Sequence, residues 1–146
     1  MTAAAIVIHP NEILRVVCEP VEIFGDEVGQ LIQTMRSTMT AAGGIGLAAP
    51  QIAVPRRVAL VGKFAMINPR IRWSSETQSV LHEGCLSIPG SRSRVLRPSS
   101  VEVEYYDISG ALKKVRLNDK MAKCAQHEID HLDGILIIDR ALAEAA

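Results

Sequence analysis

The sequence lacks the features that mark several large classes of protein. Its formal net charge is +0, so no overall field attracts nucleic acid or an anionic membrane surface. No apolar run approaches the roughly 20 residues that a membrane-spanning helix requires, and Met1 to Pro10 contains no Lys or Arg, which argues against a signal peptide. Internal repeats and low-complexity tracts are also absent. We therefore expect neither a nucleic acid nor a membrane as a partner.

A disulfide framework is not indicated either. The three cysteines, Cys18, Cys85 and Cys124, are odd in number and lack the spacing of such a framework. Reduced thiols are typical of a cytosol-like compartment, so we expect a cytoplasmic protein. The 146 residues are 48% hydrophobic and 22% charged, which suits one globular domain with a buried core. We assign residues 1–146 to that single domain.

A His-Glu-x-x-His stretch near the end of the chain gives the strongest signal for chemistry. In a helix, His127 and His131 lie on one face, close enough to bind one metal ion. Glu128 can reach a water on that metal without being a ligand. A helix is predicted here because Asn118 or Asp119 can cap its start and Gly134 can end it. Between them the apolar residues recur at helical spacing and form one stripe: Met121, Ala122, Ala125, Ile129 and Leu132. The alternative is a core helix with two surface histidines.

A catalytic metal site needs at least one further protein ligand. Zinc peptidases with this motif usually carry it downstream, but Ile137 stands six residues beyond His131, so an upstream ligand is favoured. Cys85 is the best candidate, because it stands between Gly84 and the Pro89-Gly90 turn, which predicts a tight loop around it. His82 is the second candidate and Cys124 the third. A nucleophilic Cys85 with a histidine base remains an alternative.

The glycine-rich stretch from Gly44 to Gln51 could suggest a phosphate-binding loop. No Lys-Ser/Thr pair follows it, so a nucleotide site is not favoured. Its small residues instead predict backbone packed against a ligand or another element. Gln51 supplies the one side chain in the stretch that can donate a hydrogen bond into such a site.

The remaining pattern predicts an α+β domain with a mixed or mainly antiparallel sheet wrapped around the helix of His127. A first helix should run from Asp26 to about Thr40 and break at Gly43-Gly44. Three arginines before Pro98 are expected in a solvated loop: Arg92, Arg94 and Arg97. Short strands are predicted at Ile6–Ile8, Arg57–Val61, Ala65–Ile67 (closed by Pro69), Ile71–Trp73, Gln78–His82, Val101–Tyr106 and Leu112–Leu117.

Three motifs in this order make the chain resemble the peptide deformylase family, over roughly Ile6 to Asp139. That family carries Gly-x-Gly-Leu-Ala-Ala-x-Gln, Glu-Gly-Cys-x-Ser and His-Glu-x-x-His with Asp in the fourth place. This sequence matches each of them, at Gly44–Gln51, Glu83–Ser87 and His127–His131. The resemblance implies a single catalytic domain that removes the formyl group from the starting methionine of new polypeptides and releases formate. N-formylmethionyl nascent peptides are then the expected partners.

The resemblance also implies a role for individual residues. The metal ligands are Cys85, His127 and His131, and the general acid/base is Glu128. The developing oxyanion is stabilised by the side-chain amide of Gln51 and the backbone N–H of Leu86. The methionine pocket and the peptide backbone are assigned to Ile45, Gly46, Glu83, Gly84 and Cys124. Ligand type alone suggests zinc, whereas the resemblance implies one Fe²⁺ ion, with Zn²⁺, Ni²⁺ or Co²⁺ as substitutes.

The sequence departs from the family pattern at three places, the first being the segment between Val61 and Asn68, which is shorter than in most members. Lys120 and Lys123 replace an apolar residue and an arginine found in many members, which predicts an altered pocket rim. Many bacterial members continue into a long C-terminal helix after the position of Arg140, whereas Ala141 to Ala146 allows at most one and a half turns. A transient ribosome contact is therefore expected only where it does not depend on that helix. Two other classes stay open: a metallopeptidase or amidase acting on unformylated peptides, and a non-catalytic metal-binding module.

Overall fold

Three α-helices and seven β-strands make up the computed structural model, which describes residues 2–143. The helices are α1 (Asp26–Ala42), α2 (Asp119–Leu132) and α3 (Ile137–Arg140), and short 3-10 turns occur at Glu12–Arg15 and Ala49–Ile52. The strands are β1 (Gly46–Ala48), β2 (Val58–Val61), β3 (Phe64–Ser74), β4 (Gln78–Cys85), β5 (Ile88–Pro98), β6 (Ser100–Tyr106) and β7 (Leu112–Asn118). The predicted α+β class is confirmed.

The strands form two antiparallel sheets. The larger sheet has the order β1-β2-β3-β6-β7, and β4 pairs with β5 in a separate two-stranded sheet. The prediction that Pro69 closes a strand is wrong, because β3 continues through it to Ser74. A register shift between Ile67 and Arg70 places the proline where the ladder is already interrupted, so its missing N–H breaks no pairing.

The β4–β5 hairpin also differs from the prediction. Cys85 is the last residue of β4 rather than part of a loop, and it pairs directly with Ile88 across a two-residue turn. The three arginines lie within β5 rather than in a solvated loop. Arg97 is only 3% exposed. The cluster of arginines before Pro98 did not indicate that β5 directs the Arg97 side chain into the protein.

The predicted strand at Ile6–Ile8 is wrong. This segment and the adjacent His9 contact two separate parts of the chain, with one backbone hydrogen bond to each. The N–H of Val7 donates to the carbonyl of Gln51 over 2.8 Å, and the N–H of His9 donates to the carbonyl of Ser87 over 2.8 Å. A strand needs consecutive bonds to a single neighbour, which this geometry does not supply.

Helix α1 forms as the periodicity predicts and ends two residues later than expected. Its buried side chains recur at steps of three and four residues, as an amphipathic helix requires. Gly43 ends the helix in the left-handed conformation, with φ of 70°, and its N–H bonds back to Met39 and Thr40 carbonyls. The apolar face packs on the large sheet through Val28, Ile32, Met35 and Met39.

Helix α2 lies between the sheets and contacts β1, β2 and β7, which confirms the predicted central helix. Its apolar side rests on the large sheet through Ala122, Ala125 and Ile129. At its far end Leu132 packs against Cys18, which is buried as a small hydrophobe.

Beyond α2, Leu136 and Ile137 are buried and anchor α3. The helix considered over Ala141–Ala146 is not seen at residues 141–143, and residues 144–146 lie outside the described part of the chain. Within residues 2–143, every helix is too short or too polar to cross a membrane.

Candidate metal centre

One thiol and two imidazoles converge where the β4–β5 turn meets α2. Cys85 ends β4, and His127 and His131 lie one turn apart on α2, as their spacing predicts. One ligand atom from each residue lies within 4.8 Å of the other two. Cys85 Sγ is 3.4 Å from His131 Nε2. The second- and third-choice ligands are not in this cluster: His82 is exposed on β4, and the Cys124 thiol faces the carbonyl of Ile45 at 3.8 Å.

The two histidines have different surroundings. His127 Nδ1 lies 3.1 Å from Glu83 Oε1, which leaves Nε2 for the cluster. Burial acts to raise the pKa of Glu83, but hydrogen bonds from His127 and Arg97 outweigh it and lower that pKa, so the carboxylate stays ionised. An ionised carboxylate only accepts hydrogen bonds, so His127 Nδ1 is the donor. This contact fixes both the tautomer and the ring orientation of His127.

His131 is 1% exposed, and its Nδ1 has no hydrogen-bond partner within residues 2–143. Burial and the neighbouring His127 charge lower the pKa of His131 to about 3, which keeps the imidazole neutral. A neutral imidazole is the form that binds a metal. Burial also acts to lower the pKa of His127, but Glu128 and Cys85 outweigh it and raise that pKa to about 10. The surroundings of His127 therefore favour a positive charge at the cluster.

The donor set fits a divalent metal ion. A thiolate and two imidazoles match the ligand preferences of Zn²⁺, Fe²⁺, Co²⁺ and Ni²⁺, and three protein ligands leave a coordination position for water or substrate. Within the described residues, Cys85, His127 and His131 are the one group of this kind. The chain therefore has a Cys/His/His metal site.

Glu128 lies beside this site, where Gly46 leaves room for its side chain. Its side chain is 5% exposed, and Oε1 has no partner among residues 2–143. Burial raises its pKa to about 7. A Cβ added at Gly46 would come within 2.4 Å of Glu128 Oε2 and 2.7 Å of Cys124 Sγ. Only glycine lets the β1 backbone approach this carboxylate so closely.

Gln51 presents its amide to the site in a fixed orientation. The side chain is 2% exposed, and its Oε1 accepts a hydrogen bond from the Ala48 N–H over 2.9 Å. The amide nitrogen is thereby directed to Ser87 Oγ at 3.1 Å and Cys85 Sγ at 3.8 Å. Ser87, which the sequence reasoning left without a role, is thus the partner that orients Gln51. Its place in the Glu83–Ser87 motif was the available signal.

A cavity of about 940 Å³ opens onto these groups. Its wall includes the groups expected to act in catalysis, from Gln51, Leu86 and Glu128, and two of the three metal ligands. The third ligand, His131, is buried and does not line the cavity. The wall also contains every residue expected to bind substrate: Ile45, Gly46, Glu83, Gly84 and Cys124. Lys120 and Lys123 line it too, as the departures from the family pattern predict.

Sequence reasoning missed the charged residues behind the metal ligands. Arg97 donates to Glu83 from Nε over 2.6 Å and from Nη2 over 3.0 Å, and its Nη1 donates to Asp130 Oδ2 over 2.9 Å. Asp130 follows His127 by three residues and so shares its side of α2. That spacing was the available signal for Asp130, whereas Arg97 gave none beyond its position in a basic cluster.

Comparison with known proteins agrees with this geometry. A model of the family described as polypeptide deformylase matches residues 3–145. The chain belongs to the polypeptide deformylase family. Membership confirms the expected activity: the chain is a metal-dependent hydrolase that deformylates nascent polypeptides.

Individual deformylases resemble the chain over nearly its whole length. A peptide deformylase from Pelagibacter ubique is 40% identical over 148 residues, which cover 95% of this chain and 86% of that relative. The crystal structure of the peptide deformylase from Thermotoga maritima superposes with a TM-score of 0.94 at 34% identity, covering 98% of this chain and 100% of that one. An Acinetobacter baumannii deformylase, solved with Met-ala-ser bound, gives a TM-score of 0.91 at 29% identity, covering 95% and 98%.

Proposed function

We propose that the deformylation centre consists of Cys85, His127 and His131 as metal ligands and Glu128 as the general acid/base. One observation carries the proposal: ligand atoms from the three residues lie within 4.8 Å of one another, beside a buried carboxylate and a cavity large enough for a short peptide. The substrate is a polypeptide that begins with N-formylmethionine.

The metal and Glu128 divide the chemistry between them. When bound, a divalent ion supplies Lewis acidity, which lowers the pKa of water to about 7 and polarises a carbonyl. Glu128 accepts the proton of the attacking water and later donates it to the departing amine. Its unpartnered Oε1 is free to do so, because no other described residue bonds to it.

Two donors stabilise the oxygen of the formyl group as negative charge develops on it. The first is Gln51, whose amide nitrogen is directed into the site by the bond from the Ala48 N–H to its oxygen. The second is the backbone N–H of Leu86, in the turn that follows Cys85. One donor of this kind typically contributes about 3 kcal/mol to transition-state stabilisation.

The cavity supplies selectivity for methionine. Ile45, Gly46 and Cys124 form part of its wall next to Glu128, and Glu83 and Gly84 present strand backbone to a bound peptide. Burying a methionine side chain contributes roughly 1.5–3 kcal/mol. The relative bound to Met-ala-ser supports a short peptide beginning with methionine as the ligand of this cavity.

The test is formate release from formyl-Met-Ala-Ser, with and without a chelator, and with unformylated Met-Ala-Ser as the control peptide. We expect formate only from the formylated peptide and none after chelation. Hydrolysis of the peptide bonds of both peptides at equal rates would indicate a metallopeptidase. Metal binding without formate release would indicate a non-catalytic module.

The ligand assignment has a separate test. Cys85→Ala should remove stoichiometric metal, because one of three ligands is lost, whereas Cys18→Ala should keep it, because Cys18 is not part of the ligand cluster. Metal content measured on both purified variants checks this. Full metal content in Cys85→Ala would assign the third ligand to another residue.

The native ion and the setting complete the proposal. We assign Fe²⁺ as the native metal, with Zn²⁺, Ni²⁺ or Co²⁺ as working substitutes, and metal analysis after anaerobic purification tests this. We place the reaction in the cytoplasm, where formylated chains are made. A transient ribosome contact belongs to the same proposal, and cosedimentation with ribosomes tests it.

A further inference from the structure

A chain of charged side chains links the metal site to α3. It consists of Glu83, Arg97, Asp130 and Arg140, and we call it the Arg97 network. Glu83, Arg97 and Asp130 are buried, and the side chain of Arg140 is 44% exposed. The network therefore runs from the back of the metal site to the protein surface.

At its inner end the network holds His127. Glu83 Oε1 accepts from His127 Nδ1 over 3.1 Å and from Arg97 Nη2 over 3.0 Å, while Oε2 accepts from Arg97 Nε over 2.6 Å. The fork of Arg97 thus fixes both carboxylate oxygens, and the carboxylate fixes the imidazole. Any rotation of Glu83 would break the bond that orients the ligand.

At its outer end the network depends on Arg140. Asp130 Oδ2 accepts from Arg97 Nη1 over 2.9 Å and from Arg140 Nε over 2.5 Å, and Oδ1 accepts from Arg140 Nη2 over 2.9 Å. Arg140 is thus the bidentate partner of Asp130, and Arg97 contributes one bond. Two guanidinium groups and two carboxylates balance the charge of the network.

Loss of Arg140 would disturb this balance. Asp130 would then keep Arg97 as its one ion-pair partner among the described residues, and it would compete with Glu83 for the same guanidinium. We propose that Arg140 and Asp130 are positioning residues that orient His127 through Arg97 and Glu83, so that α3 contributes to metal affinity. This inference rests on the proposed metal site.

The test measures metal affinity directly. Apo-protein is prepared for wild type, Arg140→Gln and Arg140→Lys, and the Kd for Zn²⁺ is measured by competition with a chromophoric chelator. Changes in the partners that orient metal ligands typically cost 10–100-fold in affinity. We expect a loss of about tenfold for Arg140→Gln, and partial recovery for Arg140→Lys, which keeps the charge but not the fork.

The chain offers a matched control in an ion pair to the residue next to Arg140. Arg15 forms an ion pair with Asp139, the neighbour of Arg140, but does not reach the network. Arg15→Gln should therefore leave the Zn²⁺ Kd within about twofold of wild type. Asp130→Asn removes the carboxylate that Arg140 contacts and should weaken Zn²⁺ binding as Arg140→Gln does.

The thermal midpoints of the apo-proteins separate positioning from general stability. If Arg140→Gln and Arg15→Gln lower the midpoint alike and both keep the wild-type Kd, Arg140 is only structural and the inference is overturned. The outcome differs from a failure of the proposed function, in which the wild type would release no formate. A wild type that deformylates, beside an Arg140→Gln variant with unchanged Zn²⁺ affinity, overturns the positioning role alone.

Discussion

Helix α1 buries one face and α2 buries most of its length, and the two helices bury different chemistry. The hidden face of α1 is apolar apart from Thr38, which bonds to its own helix backbone over 2.7 Å. By contrast, α2 buries five polar or charged side chains, Lys123, Gln126, Glu128, Asp130 and His131. Apolar burial contributes roughly 1.5–3 kcal/mol per large side chain, whereas a buried polar group without a partner costs about 1–3 kcal/mol. The two helices therefore have different tasks.

The partners of the buried polar groups show where the task of α2 is performed. Lys123 Nζ donates to the carbonyl of Ser79 over 2.7 Å, and Gln126 Nε2 donates to that of Pro98 over 3.0 Å. Among residues 2–143, the buried side-chain atoms without partners are Glu128 Oε1 and His131 Nδ1. Both belong to the metal centre. A protein retains buried polar atoms without partners where its chemistry uses them. Helix α1 takes no part in that chemistry.

The strongest way to sharpen this comparison is Glu128→Gln. We expect kcat for formyl-Met-Ala-Ser to fall by about 10²–10⁴-fold, because the general acid/base is lost, while metal content stays at the wild-type level. Glu76→Gln, at an exposed carboxylate, serves as the control. Turnover retained in Glu128→Gln would remove this residue from its role.

The counterpart in α1 is Met35→Ala. Met35 is fully buried, so truncation should lower the free energy of unfolding by about 2–5 kcal/mol, as measured by urea denaturation. Met35→Leu nearly conserves volume and should cost less than about 1.5 kcal/mol. Zn²⁺ affinity should not change in either variant. A lower Zn²⁺ affinity in Met35→Ala would contradict the view that α1 contributes to stability and not to the metal site.

The approach of β1 to α2 gives a smaller effect. Gly46→Ala places a Cβ against the Glu128 carboxylate and the Cys124 thiol, and a displacement of about 1 Å at a catalytic group can cost about 10²-fold in rate. We expect a loss of that order in kcat/KM with metal retained. Gly25→Ala is the control, since its added Cβ meets nothing within 4 Å. Equal activity in the two variants would contradict the close packing at Gly46.

The smallest expected effect concerns Cys18, which packs against Leu132 at the C-terminal end of α2. Burial raises the pKa of the Cys18 thiol from 9.0 to about 11. The folded state therefore keeps a proton that the unfolded state loses, and this stabilisation is complete below pH 9 and lost as the pH rises through about 11. Urea unfolding at pH 8 and 10.5 should show a smaller loss of stability in Cys18→Ala than in wild type. Equal losses would mean that Cys18 is not buried as described.

Part of the site was readable from the chain because its residues are neighbours in sequence. His127, Glu128 and His131 share one helical turn, and helical geometry alone brings them together. Cys85 was favoured among three upstream candidates, and the structure places its sulfur beside both histidines. The α1 periodicity likewise predicted a helix within two residues of its observed end.

Arg97 marks where such reasoning stops. Its role depends on β5 turning its side chain inward to meet Glu83 and Asp130, which lie 14 residues before it and 33 residues after it in the sequence. The strand prediction for Ile6–Ile8 was wrong for a related reason. The segment has strand propensity, but it has no single neighbouring strand to pair with. In both cases the outcome depended on a partner distant in sequence.

The sequence by itself determined the metal-binding helix, the amphipathic α1 and the family, since each depends on short-range spacing or on contiguous motifs. Tertiary structure alone decided which oxygen holds His127, how Gln51 is oriented, and that Arg140 reaches Asp130. Those contacts are set by the packing of β4, β5 and α3 around α2, and hydrogen bonds are too short in range to form until that packing has brought their partners within about 3 Å.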